Sequence, residues 1–139
     1  MKFPTRENVL LLNRRHIENT GGEFFEPENL LNPDSLEWVL EAIQYPLFGE
    51  LLYPTMVEKS AILAWTIIDG HVFYDGNKRT GMATLEIFLK LNNYSLDVTN
   101  DEMERVAICI ASSTTSNYSY DEFVQWVREK IQWQNILLK

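Results

Sequence analysis

Apolar positions along this chain recur three and four residues apart, in blocks separated by Gly, Pro, Asn and Ser, and this pattern predicts helices. Thr5 can cap a first helix that carries Val9, Leu12 and Ile17 and stops at Gly21 and Gly22. Asn32 before Pro33 predicts a second start, with Leu36, Val39, Leu40 and Ile43 on one face and an end at Tyr45-Pro46. Three further starts place a glutamate three residues after a hydroxyl, the capping-box spacing: Thr55/Glu58, Thr99/Glu102 and Ser119/Glu122. The first opens an apolar helix with Ala61, Leu63, Ala64, Trp65, Ile67 and Ile68. The second carries Met103, Val106, Ala107 and Ile110, and the third Phe123, Trp126, Val127 and Ile131. Met82, Leu85, Phe88 and Leu89 predict one more helix, over about 78–92, ending at Asn92-Asn93. No long stretch alternates with a period of two. The best extended candidate is Leu47, Phe48, Gly49, Glu50, Leu51, Leu52 and Tyr53, between two prolines, and Ser112 to Asn117 reads as an ordinary loop. The prediction is an all-α domain with one short β-flap.

Composition narrows the partners more than the fold. A chain of 139 residues with 45% hydrophobic and 23% charged positions has the size and content of one folded domain. A net charge of −8 argues against nucleic acid and against an anionic membrane surface as partners, because both demand a basic face. The single cysteine, Cys109, excludes an internal disulfide and a cysteine zinc site, and its apolar neighbours predict a buried small hydrophobe. The patch from Val9 to Leu12 is too short for a secretory signal, and no segment reaches membrane-spanning length, so a cytoplasmic protein is expected.

Chemistry concentrates in the connector between the helices over about 55–69 and 78–92. A helix that starts beside Gly76 presents unpaired N–H groups and a positive dipole end, an arrangement that binds phosphate. Gly76 lets the backbone approach an oxyanion without a Cβ in the way. Lys78 and Arg79 add full charges, Asp75 is an oxygen ligand suited to Mg²⁺, and His71 can take a proton from a hydroxyl. Phe73 is expected to point into the core and anchor the loop. Asp-Gly-Asn is also ordinary turn chemistry, and Lys and Arg are commonly just solvated. What favours a site is a base, a carboxylate, an anion-binding helix start and two cations within nine residues. The segment is not a P-loop, since G-x-x-x-x-G-K-[ST] cannot be aligned on it.

The run His71-Val72-Phe73-Tyr74-Asp75-Gly76-Asn77-Lys78-Arg79-Thr80 resembles the Fic/Doc signature, H-x-F-x-[DE]-[AG]-N-[GK]-R. The stretch from Tyr53 to Ala61 before it and from Phe88 to Tyr94 after it resemble Doc (death-on-curing) toxins. Length and helix order agree over roughly residues 5–131, so residues 1–139 read as one Fic/Doc-like helical domain. The resemblance implies that ATP is the substrate and His71 the base toward a hydroxyl on a target protein. It assigns Mg²⁺ to Asp75, phosphate to Gly76, Asn77, Lys78 and Arg79, and alignment of the target to the flap from Leu47 to Tyr53.

Nucleotidyl-transferring members typically read G-N-G-R-x-x-R, whereas this chain has Lys78 at the third position and Met82 at the last. Both departures match Doc-type members, which are associated with phosphorylating elongation factor Tu and arresting translation. Gly76 leans the other way, because the prototype Doc has alanine there. Adenylyl transfer and a non-catalytic binding module are the alternatives. An inhibitory [ST]-x-x-x-E-[GN] helix is not evident, since Phe3 and Phe24 precede the two Glu-Asn pairs, Glu7-Asn8 and Glu28-Asn29. Restraint is then expected from a separate antitoxin of the Phd type.

Elsewhere, His16 is expected to play a surface or capping role, and Trp38, Trp65 and Trp126 to sit in the core. Trp133 with Ile136, Leu137 and Leu138 forms an apolar tail that either closes the core or meets a partner.

Overall fold

The computed structural model describes residues 1–134. Seven helices run through them: α1 (Arg6–Thr20), α2 (Pro33–Ala42), α3 (Met56–Asp69), α4 (Asn77–Leu91), α5 (Asn100–Ala111), α6 (Ser113–Ser116) and α7 (Tyr120–Lys130). A small antiparallel sheet joins β1 (Tyr94–Leu96) to β2 (Ile131–Trp133), with Ser95 opposite Gln132. The chain is all-α, as the periodicity predicts, with a minor sheet at positions where the sequence carries no strand signal.

Side-chain caps start four of the helices. The hydroxyls of Thr5, Thr55, Thr99 and Ser119 each accept from the backbone N–H three residues on. The full reciprocal box forms at Thr5 with Asn8, not at the three glutamate pairs. Glu102 is drawn away instead, accepting from Trp126 Nε1 at 3.1 Å and pairing with Lys130 at 3.4 Å. Asn32 does not cap α2 with its side chain; that amide donates to the carbonyls of Gly70 and His71.

Helices α3 and α4 form the centre. α3 packs on α2, α4, α5 and α7, while α4 packs on α1, α3, α5 and β1. Their close approach depends on Gly81, where a Cβ would collide with the side chain of Ile68. Leu63, Ile67, Ile68, Leu85, Phe88 and Leu89 fill the seam and are fully buried. Each such side chain stabilises the fold by about 1.5–3 kcal/mol. Lys59 is buried as well and donates to the Ile43 carbonyl at 2.7 Å, tying the end of α2 to the start of α3; burial pushes its pKa down.

Several sequence expectations need correction. The short β-flap expected over 47–53 is reduced to a tight turn with a single antiparallel bridge, Leu47 to Glu50, and positive φ at Phe48 and Gly49. The three-residue strands of the real sheet are too short to show alternation, and Ile131 begins β2 instead of ending α7. Residues 113–116 form the helical turn α6, not an open loop. Trp38 is 47% exposed because it lies about 200° around α2 from Leu36, which the core takes; it meets Tyr53 edge-on. Trp65 and Trp126 are half-buried, as is Cys109, which sits beside the buried stripe of α5 and not within it. Trp133 is exposed and packs edge-on against Tyr94, and Ile136 to Leu138 lie outside the described residues.

A bidentate pair staples α1 to the connector before α2. Arg6 donates to both carboxylate oxygens of Glu28, at 3.0 and 2.9 Å. That bond holds the Glu28 carboxyl below its ordinary value of 4.5. A depressed carboxylate stabilises the fold above its unfolded pKa and loses that contribution as pH falls through the folded one. Glu28→Gln should therefore flatten the fall of Tm below about pH 4.5, measured by thermal melts across an acid pH series.

Candidate active site

The motif loop, residues 70–76, leaves α3 and turns sharply into α4. His71 carries a positive φ of 48°, and Gly76 one of 83° at the N-cap of α4. Phe73 is fully buried, with its backbone bridged to Leu30. Asn77 clamps the same residue: its Oδ1 accepts from Phe73 N–H at 2.9 Å and its Nδ2 donates to Phe73 O at 2.8 Å. The side chain of Asn77 is thus engaged in holding the loop, which leaves its backbone N–H at the start of α4 for the phosphate expected there.

The connector from Gly22 to Asn32 runs alongside. Leu31 and Asn32 N–H both donate to Val72 O, and Tyr74 N–H donates to Asn29 O. Beneath them lies a buried polar network. Asn13 Nδ2 donates to Asp75 O at 2.8 Å and to Thr80 Oγ1 at 3.1 Å, while Asn13 Oδ1 accepts from Asn29 Nδ2 at 3.0 Å. Among the described residues no buried side-chain nitrogen or oxygen lacks a partner. Asn13, Asn29 and Thr80 were not among the sequence candidates. One signal existed, since Asn13 falls on the Val9–Ile17 stripe of α1, where a polar residue is out of place.

Asp75 is a connecting residue as well as a carboxylate. Its Oδ2 accepts from Glu23 N–H and its Oδ1 from Gly76 N–H, both at 2.8 Å. Each oxygen keeps a second lone pair for a further ligand. No group of three or more His, Cys, Asp or Glu among the described residues is placed to hold a metal by itself. A Mg²⁺ here would be held by Asp75 together with phosphate oxygens and water, which is how this ion usually binds.

The start of α4 stays open. No side chain caps it, so the N–H groups of Asn77, Lys78 and Arg79 have no intrahelical acceptor and the positive dipole end is exposed. Lys78 and Arg79 are exposed beside them. His16 packs over Gly76, closer to the motif than a surface or capping role requires. Burial and then the Arg79 charge lower its pKa, with Asp75 opposing.

His71 is solvent-exposed and its ring is oriented. Nδ1 lies 3.1 Å from Asp69 O. A carbonyl oxygen only accepts, so in the neutral ring the proton sits on Nδ1 and the Nε2 lone pair is left for an incoming hydroxyl. The structure joins His71, Asp75, Gly76, Lys78 and Arg79 in one loop and helix start. It does not join residues 47–53 to them: that segment leaves α2 and enters α3 at the ends remote from the motif. No hydrogen bond among the described residues links the two.

A family model, the Fic/DOC family, matches residues 3–89, which include α1, the connector, the motif and most of α4. The chain belongs to the Fic/DOC family. A search of curated proteins returned no match. Fic/DOC members are transferases that move a nucleotide or phosphate group from a nucleotide such as ATP onto proteins, and that is the class of enzyme this site builds. No helix among the described residues is long and apolar enough to cross a membrane.

Within this Fic/DOC site, Gly76 is fixed by packing. A Cβ there would stand 2.9 Å from Asn13 Nδ2 and 3.1 Å from His16 Cδ2, at a φ that side chains rarely adopt. Gly76→Ala should cost about 1–3 kcal/mol in a urea melt, and should weaken nucleotide binding because the strained turn precedes the anion cradle.

Proposed function

We propose that this Fic/DOC protein transfers the γ-phosphoryl group of ATP to a hydroxyl of a target protein, in the manner of Doc toxins. The observation that carries this reading is the oriented His71, with Nε2 free, in the same loop that ends in an uncapped helix start and two cations. The target oxygen bonds to the γ-phosphorus and its proton passes to His71 Nε2. The bond from the γ-phosphorus to the β–γ bridging oxygen breaks, and ADP leaves. Lys78, Arg79 and the α4 N–H groups hold phosphate oxygens. Asp75 would hold Mg²⁺, which when bound supplies positive charge against the phosphates.

Lys78 and Met82 favour phosphoryl over nucleotidyl transfer. Met82 stands at the position of the second motif arginine and is only 4% exposed, so it brings no charge to a phosphate. Gly76, the one feature that leans toward nucleotidyl transfer, is also favoured by its positive φ and by close packing against Asn13 and His16, whatever the reaction. By the same resemblance we propose elongation factor Tu as target, the cytoplasm as place of action and a Phd-type antitoxin as restraint. The placement of residues 47–53 lends no support to their aligning a target at His71.

Incubation with cell lysate and γ- or α-labelled ATP tests this reading. Label transfer from the γ position alone is expected. Transfer from the α position would establish nucleotidyl transfer instead. No transfer from either, with His71→Ala indistinguishable from the parent, would mean a binding module.

A further inference from the structure

The connector from Gly22 to Asn32 presents an aromatic pair beside the motif. Phe25 and Tyr74 are each about half exposed, yet their rings pack together with centroids 4.6 Å apart. One buried residue fixes both backbones: Asn29 Oδ1 accepts from Phe25 N–H at 2.9 Å, and Asn29 O accepts from Tyr74 N–H at 3.0 Å. Leu31 is exposed too; its N–H donates to Val72 O, and the neighbouring Asn32 amide donates to His71 O at 2.8 Å. These three apolar side chains therefore stand on backbone bonded directly to the His71 loop. Val72 and Phe73 are buried, which leaves His71 and Tyr74 on the outer side of that loop. Three residues of chain separate the two, a span of at most about 11 Å.

We propose that Phe25, Tyr74 and Leu31 form the docking platform for the target protein, and that the platform receives a large apolar or aromatic side chain within about three residues of the acceptor hydroxyl. This rests on the reading of His71 as the base toward that hydroxyl. Area decides the occupant. A specific interface covers about 800 Å² per partner, equivalent to a disc of radius about 16 Å. A target whose hydroxyl reaches His71 Nε2 sets such a disc around His71, and Tyr74 falls inside it. The platform carries no charged group, so apolar contact and ring stacking are what it offers a partner. Aromatic rings already held in place lose little freedom on binding, and such residues carry a large share of the energy at interfaces. Residues 47–53 also expose apolar side chains, Leu47, Phe48, Leu51 and Leu52, but at the ends of α2 and α3 remote from the motif.

Labelling from γ-labelled ATP across a dilution series of cell lysate, with MgATP binding followed by calorimetry, tests the platform. The proteins compared are the parent, Phe25→Ser combined with Tyr74→Ser, and Phe48→Ser in the remote turn. The double variant should label at least tenfold less at limiting lysate, regain most of that at high lysate, and bind MgATP within twofold of the parent. Retained MgATP binding also shows that it is folded. Phe25→Ser alone, which leaves the motif intact, should give a smaller loss of the same kind, and Phe48→Ser should label like the parent. Unchanged labelling in the double variant would overturn the platform, and a loss confined to Phe48→Ser would return target alignment to residues 47–53. Lost MgATP binding in the double variant, with Phe25→Ser labelling like the parent, would overturn it as well. A parent dimer that becomes monomeric in the double variant, with labelling unchanged, would make the pair a contact between copies instead. Mass spectrometry then maps the labelled residue of the target. Serine in place of the large apolar side chain nearest to it should lower labelling by the parent at least fivefold and by the double variant less than twofold; equal losses with both would overturn the pairing. A parent that labels nothing would overturn the transfer reading itself, an outcome distinct from all of these.

Discussion

Replacing His71 with alanine should lower protein labelling from ATP by a factor of about 10²–10⁴, the usual contribution of a positioned general base. The effect should fall on transfer and not on folding, because the imidazole is exposed and its one hydrogen bond is to the carbonyl of Asp69. Alanine tolerates the positive φ at this position less well than histidine or asparagine. His71→Asn is therefore the cleaner partner variant: it keeps the backbone content to turn and still removes the base. Both should bind ATP within a few-fold of the parent. If the protein is toxic, both should relieve growth arrest when expressed without an antitoxin. Labelling that survives in both variants would take His71 out of the mechanism.

The largest stability effect is expected at Asn13, a residue that touches no substrate in the proposed reaction. Its side chain is fully buried and spends both polar atoms on the motif: donors to Asp75 O and Thr80 Oγ1, and an acceptor for Asn29 Nδ2. Asn13→Ala removes all three bonds at once. Asn29 Nδ2 is then left with only its 3.4 Å contact to Asp75 O, and Thr80 Oγ1 loses its donor. Leaving buried polar groups unpaired costs about 1–3 kcal/mol each. A total near 3 kcal/mol should appear as a Tm drop on the order of 10 °C in a chain of this length. Labelling should fall too, since the Asp75 carbonyl positions the turn into α4. A melt shifted by less than about 2 °C would show that the network is incidental, given the same scaling.

Much of the helical framework was legible because the signals that start and stop helices are local. Thr5, Thr55, Thr99 and Ser119 cap helices in the structure, and the apolar stripe of each helix predicts its buried face. The errors arose where tertiary contacts competed with those local choices. Glu102 leaves its box for Trp126 and Lys130, and Asn32 leaves its helix for the motif loop. The small sheet pairs residues 94–96 with 131–133, and pairing at that separation leaves no mark on either three-residue stretch.

By itself, the sequence determined the helical class, the order of the helices and the motif from His71 to Thr80, because periodicity, capping and a contiguous signature are all properties of neighbouring residues. Only the tertiary structure decided what holds that motif in place. Asn13 comes from α1 and Asn29 from the connector, brought to Asp75 across 62 and 46 positions of chain. It also decided that Asn77 clamps the loop with its side chain and that Gly76 packs closely against Asn13 and His16 at a φ that favours glycine. Hydrogen bonds and steric exclusion act between atoms that folding brings within about 3 Å, and no local pattern encodes which distant residue will stand there.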